Sequence, residues 1–182
     1  RANSLTSANL SCHFQIMDAL DLQVQNGSFD GVWSVEAGPH MPDKQLYADE
    51  MLRVLRPGGF LAVADWNRRD IADGDLGKFE KIIMFQLLNQ WSHPEFSSIK
   101  SFQDNLLQSA FNGGYVDTDD WTQYTLPSWN DSILEGVRRP SVIIRLGGKS
   151  LIKAIREIPT ILMMRWAFAT GLMRFGVFKS RG

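Results

Sequence analysis

Between residues 60 and 64 the chain reads Phe-Leu-Ala-Val-Ala without a polar interruption, and Asp65 closes the run. A half-buried strand alternates apolar and polar side chains. An unbroken apolar run of strand length is the pattern of a strand covered on both faces, as in a parallel sheet. The preceding segments complete the unit. Phe29–Val35 (FDGVWSV) is rich in β-formers. Residues 43–54 bring Leu46, Tyr47, Met51, Leu52 and Val54 close to helical spacing, with Asp43 as N-cap. Arg56-Pro57-Gly58-Gly59 then stops the helix. Strand, helix and strand in this order make a βαβ unit with a right-handed crossover. A further strand is expected at His13–Met17, ending in Asp18-Ala19, with Asn26-Gly27 as a turn. After the polar stretch 66–78, helices are expected over 78–91 and 98–111 and a strand over 114–121. Helices over 128–137, 148–157 and 160–172 follow, and a last strand over 176–179. The alternation describes an α/β doubly wound domain.

Composition adds exclusions and one asymmetry. The single cysteine, Cys12, excludes an intramolecular disulfide and argues against a cysteine-built zinc site, so no metal is expected. The net charge of −1 conceals a split: residues 1–137 carry 19 acids against 9 cations, and residues 138–182 carry 10 cations against Glu157 alone. The C-terminal part therefore favours anionic surfaces. The opening residues, Arg1-Ala2-Asn3-Ser4-Leu5, read as the last turn of a helix begun upstream, so the chain is expected to be truncated at its N-terminus.

In open α/β sheets, ligands bind beyond the carboxyl ends of strands. Three such ends carry polar groups: Asp18, the run Ser34 to His40, and Asp65. Asp18 can accept a hydrogen bond from an exocyclic amine while small Ala19 lets a flat ring approach; it also reads as a cap of the following turn. Glu36 and His40 share the loop after the second expected strand, with Gly38-Pro39 fixing the backbone between them. Histidine suits proton transfer near neutral pH and a glutamate can orient it, although a solvated histidine and a locally capping glutamate fit the same residues.

At this point the motifs reach a family. Phe29 to Glu36, His40 and Leu55-Arg56-Pro57-Gly58-Gly59-Phe60 resemble the second half of a class I S-adenosylmethionine-dependent methyltransferase. The segments WSVEAGPHMPDK (33–44), VADWNRRD (63–70), LLNQWSHPEF (87–96), REIPTILMMR (156–165) and RFGVFK (174–179) resemble the tocopherol and plastoquinol C-methyltransferases, cyanobacterial type, from about Arg1 to Lys179. The resemblance implies a Rossmann-like fold of which the C-terminal two-thirds is present, with added C-terminal helices. Residues 1–66 would belong to the cofactor-binding domain, and residues 67–182 would supply lid and substrate helices with the last strands. It implies S-adenosylmethionine as cofactor, with Asp18 and Ala19 at the adenine and Ser34 in the cofactor site. Glu36 and His40 would serve catalysis, His40 as base and Glu36 as its orienter or as a ligand to a substrate hydroxyl. The implied substrate is a prenylated hydroquinone, 2-methyl-6-phytyl-1,4-benzoquinol or a solanesyl analogue, methylated at a ring carbon. γ-Tocopherol or a sterol is the alternative within the class. A non-catalytic membrane-surface fragment is the alternative outside it. A nicotinamide dehydrogenase fits poorly, because no G-x-G-x-x-G opens a helix after a strand. The family's glycine-rich loop, its ribose-binding acid and its first two strands would all precede Arg1. The chain alone is therefore expected to bind cofactor poorly and to expose strand edges.

Two segments lie outside this core. Phe85, Leu87, Leu88, Trp91 and Phe96 read either as a lid over an apolar tail or as core packing, and His93 as a second proton-transfer candidate or a structural turn. Residues 149–174 mix Lys149, Lys153, Arg156, Arg165 and Arg174 with Leu, Ile, Met, Trp and Phe. They read as basic amphipathic helices at a membrane interface or as a buried C-terminal helix. The apolar stretch is too short and too interrupted to span. With a bilayer-resident quinol implied, the expectation is peripheral contact with the cytoplasmic face of a photosynthetic or plasma membrane, or a plastid membrane in a eukaryote. No nucleic-acid partner is expected.

Overall fold

The computed structural model describes residues 12–90, 92–128, 131 and 148–182; within the last range, side chains are described from Arg156 onward. The elements named among the described residues run in the order β1 (Phe29–Val35), α1 (Lys44–Arg53), β2 (Leu55–Arg68), α2 (Lys78–Gln90), α3 (Ile99–Gln108), β3 (Val116–Asp120), α4 (Gly148–Ala169) and β4 (Met173–Arg181). One-turn 3-10 helices occupy Gly38–His40 and Ile71–Asp73. Residues 122–128 are also helical.

The sheet has the order β1-β2-β4-β3. β1 and β2 are parallel, joined through α1 as the βαβ reading requires, with Val32 opposite Leu61 and Val35 opposite Ala64. β4 then inserts antiparallel between β2 and β3, pairing Leu61 with Ser180 and Thr118 with Phe178. The sheet is thus mixed, with its parallel part at the β1 end. Strands from both sides of the expected boundary at residue 66 share it.

Each face of the sheet has its own core because side chains alternate along a strand. Leu61, Val63 and Phe178 point towards α1 and α3 and bury Tyr47, Ala48, Met51, Leu52, Phe102 and Leu106 with them. Phe175 and Val177 point the other way, into a core with Ile83, Met84 and Leu87 of α2 and Met164, Ala167 and Phe168 of α4. Ala64 and Trp66 pack against that second core. The Phe60–Ala64 run is therefore covered on both faces, the Leu61/Val63 face more completely than the Ala62/Ala64 face.

Four local expectations are corrected. His13–Met17 forms no strand, and Phe14 and Ile16 stand exposed rather than covered by a sheet neighbour's layer. Arg56-Pro57-Gly58-Gly59 does stop α1 but lies inside β2, where a register shift between Phe29↔Leu55 and Gly31↔Phe60 absorbs the extra residues. Gly58 takes a φ of 75° there, a conformation open to glycine at little cost. The last two helices are one, because α4 continues through Pro159; a proline forfeits one helical hydrogen bond, and the packing of Met164, Ala167 and Phe168 outweighs that loss. The final strand is also longer than expected, since β4 gains partners on both edges. Of the expected helix over 128–137, only Ser128 and Asp131 are described, both helical; its other residues and Trp91 lie outside the described residues. Of the proposed lid side chains, Leu87 and Phe96 are buried core, Leu88 is partly buried, and Phe85 is exposed.

Phe178 joins the strands to the α1/α3 layer; fully buried, it meets Phe102 edge-on at 4.9 Å. Phe178→Ala should lower the unfolding free energy by about 3–5 kcal/mol, the usual cost of emptying a buried phenylalanine site. Urea unfolding followed by circular dichroism measures it.

Candidate active site

The loop after β1 is built to hold one shape. Glu36 sits at φ 55°, left-handed for a residue with a side chain, while its amide still donates to Ala64 O at 2.8 Å. Such a conformation costs of order 1 kcal/mol and persists where the surroundings enforce it. The chain then makes the Gly38–His40 turn, with Pro39 inside it, and reaches Asp43, whose carboxylate caps α1 by accepting from Leu46 N at 2.9 Å.

Two charged side chains grip this loop. Asp65, at the carboxyl end of the β2 apolar run and 3% exposed, accepts from Gly38 N at 3.3 Å. A Cβ at residue 38 would lie 2.1 Å from Asp65 Oδ2, so only glycine lets the carboxyl approach this closely. From the other side the Lys44 ammonium donates to Gly38 O at 2.8 Å, Met41 O at 2.5 Å and, more distantly, Pro39 O at 3.5 Å. Burial holds Lys44 below the usual lysine value, opposed by the nearby Asp65 and Glu95. Burial pushes the Asp65 carboxyl up to about 7, opposed by the Gly38 hydrogen bond and by Lys44.

The expected site residues divide into two groups. Glu36, Pro39 and His40 line one cavity of about 390 Å³ together with Trp66 and His93. Glu36 accepts from Trp66 Nε1 at 3.1 Å, so its carboxylate is oriented by the strand-end indole. His40 is exposed and rests on the ring of His93, centroids 4.3 Å apart and tilted by 36°. Ser34 lies below the loop, its hydroxyl 2.5 Å from the hydroxyl of buried Tyr47. The Tyr47 phenol is pushed up to about 12, mainly by burial, so it stays neutral. Asp18 and Ala19 form a separate tight turn: Asp18 Oδ1 accepts from Leu20 N at 2.9 Å, and Ala19 packs on the α1/α3 core, as Met41 does. The capping of the turn is thus real, and the Asp18 carboxylate, an acceptor, is exposed beside small Ala19.

Sequence reasoning missed the grip of Asp65 and Lys44 and the part of Trp66. The only available signal was Asp65 itself, a carboxylate ending an apolar strand.

Residues 1–63 match the family model described as a methyltransferase domain. The chain is 52% identical over 180 residues to the 2-methyl-6-phytyl-1,4-hydroquinone methyltransferase of Synechocystis sp., covering 99% of this chain and 57% of that protein. It is 32% identical over 182 residues to the chloroplastic tocopherol O-methyltransferase of Arabidopsis thaliana, covering 97% and 51%. The chain thus spans little more than half the length of these relatives. A solved Haemonchus contortus phosphoethanolamine N-methyltransferase 2 in complex with S-adenosyl-L-methionine superposes with a TM-score of 0.74 at 13% identity, covering 90% of this chain and 35% of that one. In sequence the chain is similar to these methyltransferases over nearly its whole length, and in fold it is similar to the solved one. The sheet order β1-β2-β4-β3 with one antiparallel insertion is the portion of that fold present in the described residues.

The buried Asp65 carboxyl makes stability depend on pH. Its folded value, about 7, exceeds the ordinary 3.8, so the folded state holds the proton more tightly. Stability from this group is greatest below about pH 4 and is lost as pH rises through 7, by up to roughly 4 kcal/mol. Thermal melts should show a higher Tm at pH 5.5 than at pH 8.5, and Asp65→Asn should flatten that difference.

Proposed function

We propose that this chain carries the catalytic half of an S-adenosylmethionine-dependent C-methyltransferase acting on a prenylated hydroquinone. The observation that carries the reading is the single cavity beyond the carboxyl ends of β1 and β2, where an acid, an imidazole and an indole face one another. The relatives supply the substrate class, through the two quinol- and tocopherol-directed proteins named above.

The cofactor supplies a sulfonium-bound methyl group. Asp18 and Ala19 would receive its adenine, and Ser34, held by Tyr47, would help to hold it. His40 takes the phenolic proton of the quinol as the transition state forms, since a phenol near pKa 10 does not give it up beforehand to an imidazole near 6.5. The electron density released to the ortho carbon makes that carbon the nucleophile. The new bond is methyl to ring carbon and the bond broken is methyl to sulfur; the ring proton leaves to solvent as aromaticity returns, and His40 hands its proton back to the phenolate oxygen, which leaves a neutral product and a free base. Glu36 accepts a hydrogen bond from the second hydroxyl of the quinol while Trp66 fixes its carboxylate. Alignment in a site partly closed by aromatic rings contributes the rest.

Contact with the membrane holding such a substrate falls to α4 and its neighbour α2. Ile158 and Leu162 of α4 and Phe79, Ile82 and Phe85 of α2 are exposed, and Arg156 and Arg165 are exposed on α4. Among the described residues no helix is long and apolar enough to cross a membrane, and exposed apolar side chains flanked by cations suit a peripheral contact.

Incubation of the full chain, as it occurs in its source, with labelled S-adenosylmethionine and three acceptors tests the reading. 2-Methyl-6-phytyl-1,4-benzoquinol should gain one ring-carbon methyl, with γ-tocopherol and a sterol poor acceptors; turnover confined to γ-tocopherol or the sterol overturns the substrate. His40→Ala should reduce kcat by about 10²–10⁴-fold, the usual contribution of a general base. Near-normal turnover would remove His40 from that role.

A further inference from the structure

A second imidazole is built into the wall of this cavity. α2 ends in a left-handed Ser92 (φ 53°), with Ser92 N donating to Asn89 O at 3.4 Å and His93 N to Leu88 O at 2.9 Å. This is the paired closure of a helix that stops firmly, and Pro94 prevents its continuation. The following segment is then tied to the end of β2. Arg68 Nε donates to Phe96 O at 3.0 Å, Arg68 N to Ser97 O at 3.0 Å and Asn67 Nδ2 to Ser97 O at 3.3 Å, while Phe96 is fully buried. These ties leave His93 little freedom: it is 7% exposed, with Phe96 at 5.0 Å and the Trp66 indole edge-on at 6.2 Å between ring centroids.

Its remaining neighbours belong to the catalytic loop. His93 hydrogen-bonds the backbone carbonyl of Pro39, the residue before His40, and its ring carries the His40 ring at 4.3 Å. One side chain therefore holds both the backbone and the side chain of the proposed base. The charged groups around the pair are Glu36 across the cavity and Lys44 beneath the loop, with Asp65 behind Gly38. Burial first, then the His40 charge and Lys44, hold His93 below the usual histidine value, opposed by the hydrogen bond to Pro39.

We propose that His93 is a positioning residue for His40, the buried back wall that fixes the exposed imidazole and its loop in the orientation needed at the substrate hydroxyl. This rests on the reading of His40 as base. An exposed histidine at a loop turn samples several rotamers, and a hydrogen-bonded aromatic backstop removes most of them before substrate arrives.

The test uses the full chain with S-adenosylmethionine and the quinol. His93→Phe keeps a ring of similar bulk without the hydrogen bond and should lower kcat about tenfold, with KM for S-adenosylmethionine within twofold. His93→Gln restores a donor towards Pro39 and should recover most of that loss. Combined with His40→Ala, His93→Phe should cost less than twofold further, because a residue acting through another has no effect once that one is gone. Equal losses from His93→Phe with and without His40 overturn the proposal, as does unchanged kcat in His93→Phe when His40→Ala is impaired. If His93→Phe does not fold, His93→Gln carries the cycle, and an equal loss from it in both backgrounds is again the refuting result. Normal turnover of His40→Ala overturns the base assignment, and this inference with it, and so is told apart from failure of the positioning role alone.

Discussion

The grip of Asp65 and Lys44 on one loop is the constraint from which the site follows. Beyond Glu36, whose amide still bonds to β2, the loop carries carbonyls and amides that need other partners, and buried backbone groups without partners are costly. Asp65 takes the Gly38 amide, and the Lys44 ammonium takes the carbonyls of Gly38 and Met41. Two side chains of opposite charge, on the strand and the helix that flank the loop, thus replace the missing ladder. The two charges also offset each other where each would be costly alone. With the backbone satisfied in this one shape, His40 and Glu36 are carried to the same cavity although they make no hydrogen bond to each other.

The mixed sheet supplies the second half of the wall. Because β4 runs antiparallel beside β2, Phe175 and Val177 project towards the face that α2 and α4 cover. That core fixes where α2 ends, and the end of α2 is where His93 enters the cavity. Gly176 permits the close approach involved: a Cβ there would lie 2.4 Å from Asn67 Oδ1, the atom that accepts from Gly176 N while Asn67 Nδ2 holds Ser97. The packing of one face and the placement of a site residue share these few contacts.

What was legible in the sequence follows the same division. α1 was readable from Asp43 and its apolar spacing, and β1 and the core of β2 from their composition, because those signals act within one element. The pairing of Glu36 with His40 at one cavity was readable too, since both lie in a single short loop. His13–Met17 has strand composition but strand formation needs a partner, and none of the described residues supplies one. The Arg56–Gly59 stop was read correctly for α1 and too narrowly for β2, since a bulge can hold glycine and proline inside a ladder. Pro159 misled for the converse reason: burial of Met164, Ala167 and Phe168 is a tertiary effect that local propensity does not contain. The roles of Asp65 and His93 depend on contacts between elements far apart in sequence, which composition and spacing do not report, and that of Lys44 depends on the folded shape of the loop just before it.

The division of labour in the cavity bears on which group can be the base. Glu36 is exposed to solvent and already accepts from the Trp66 indole, so its carboxylate is oriented as an acceptor. His40 has no such donor committed to it among its described contacts and instead lies against a buried ring. A neutral imidazole in that position keeps a lone pair available for a proton. Glu36 therefore suits recognition of a hydroxyl and His40 suits removal of its proton. The left-handed backbone at Glu36 serves this separation, since it turns the carboxylate towards Trp66 at the strand end and leaves the rest of the loop to carry His40 to the opposite wall.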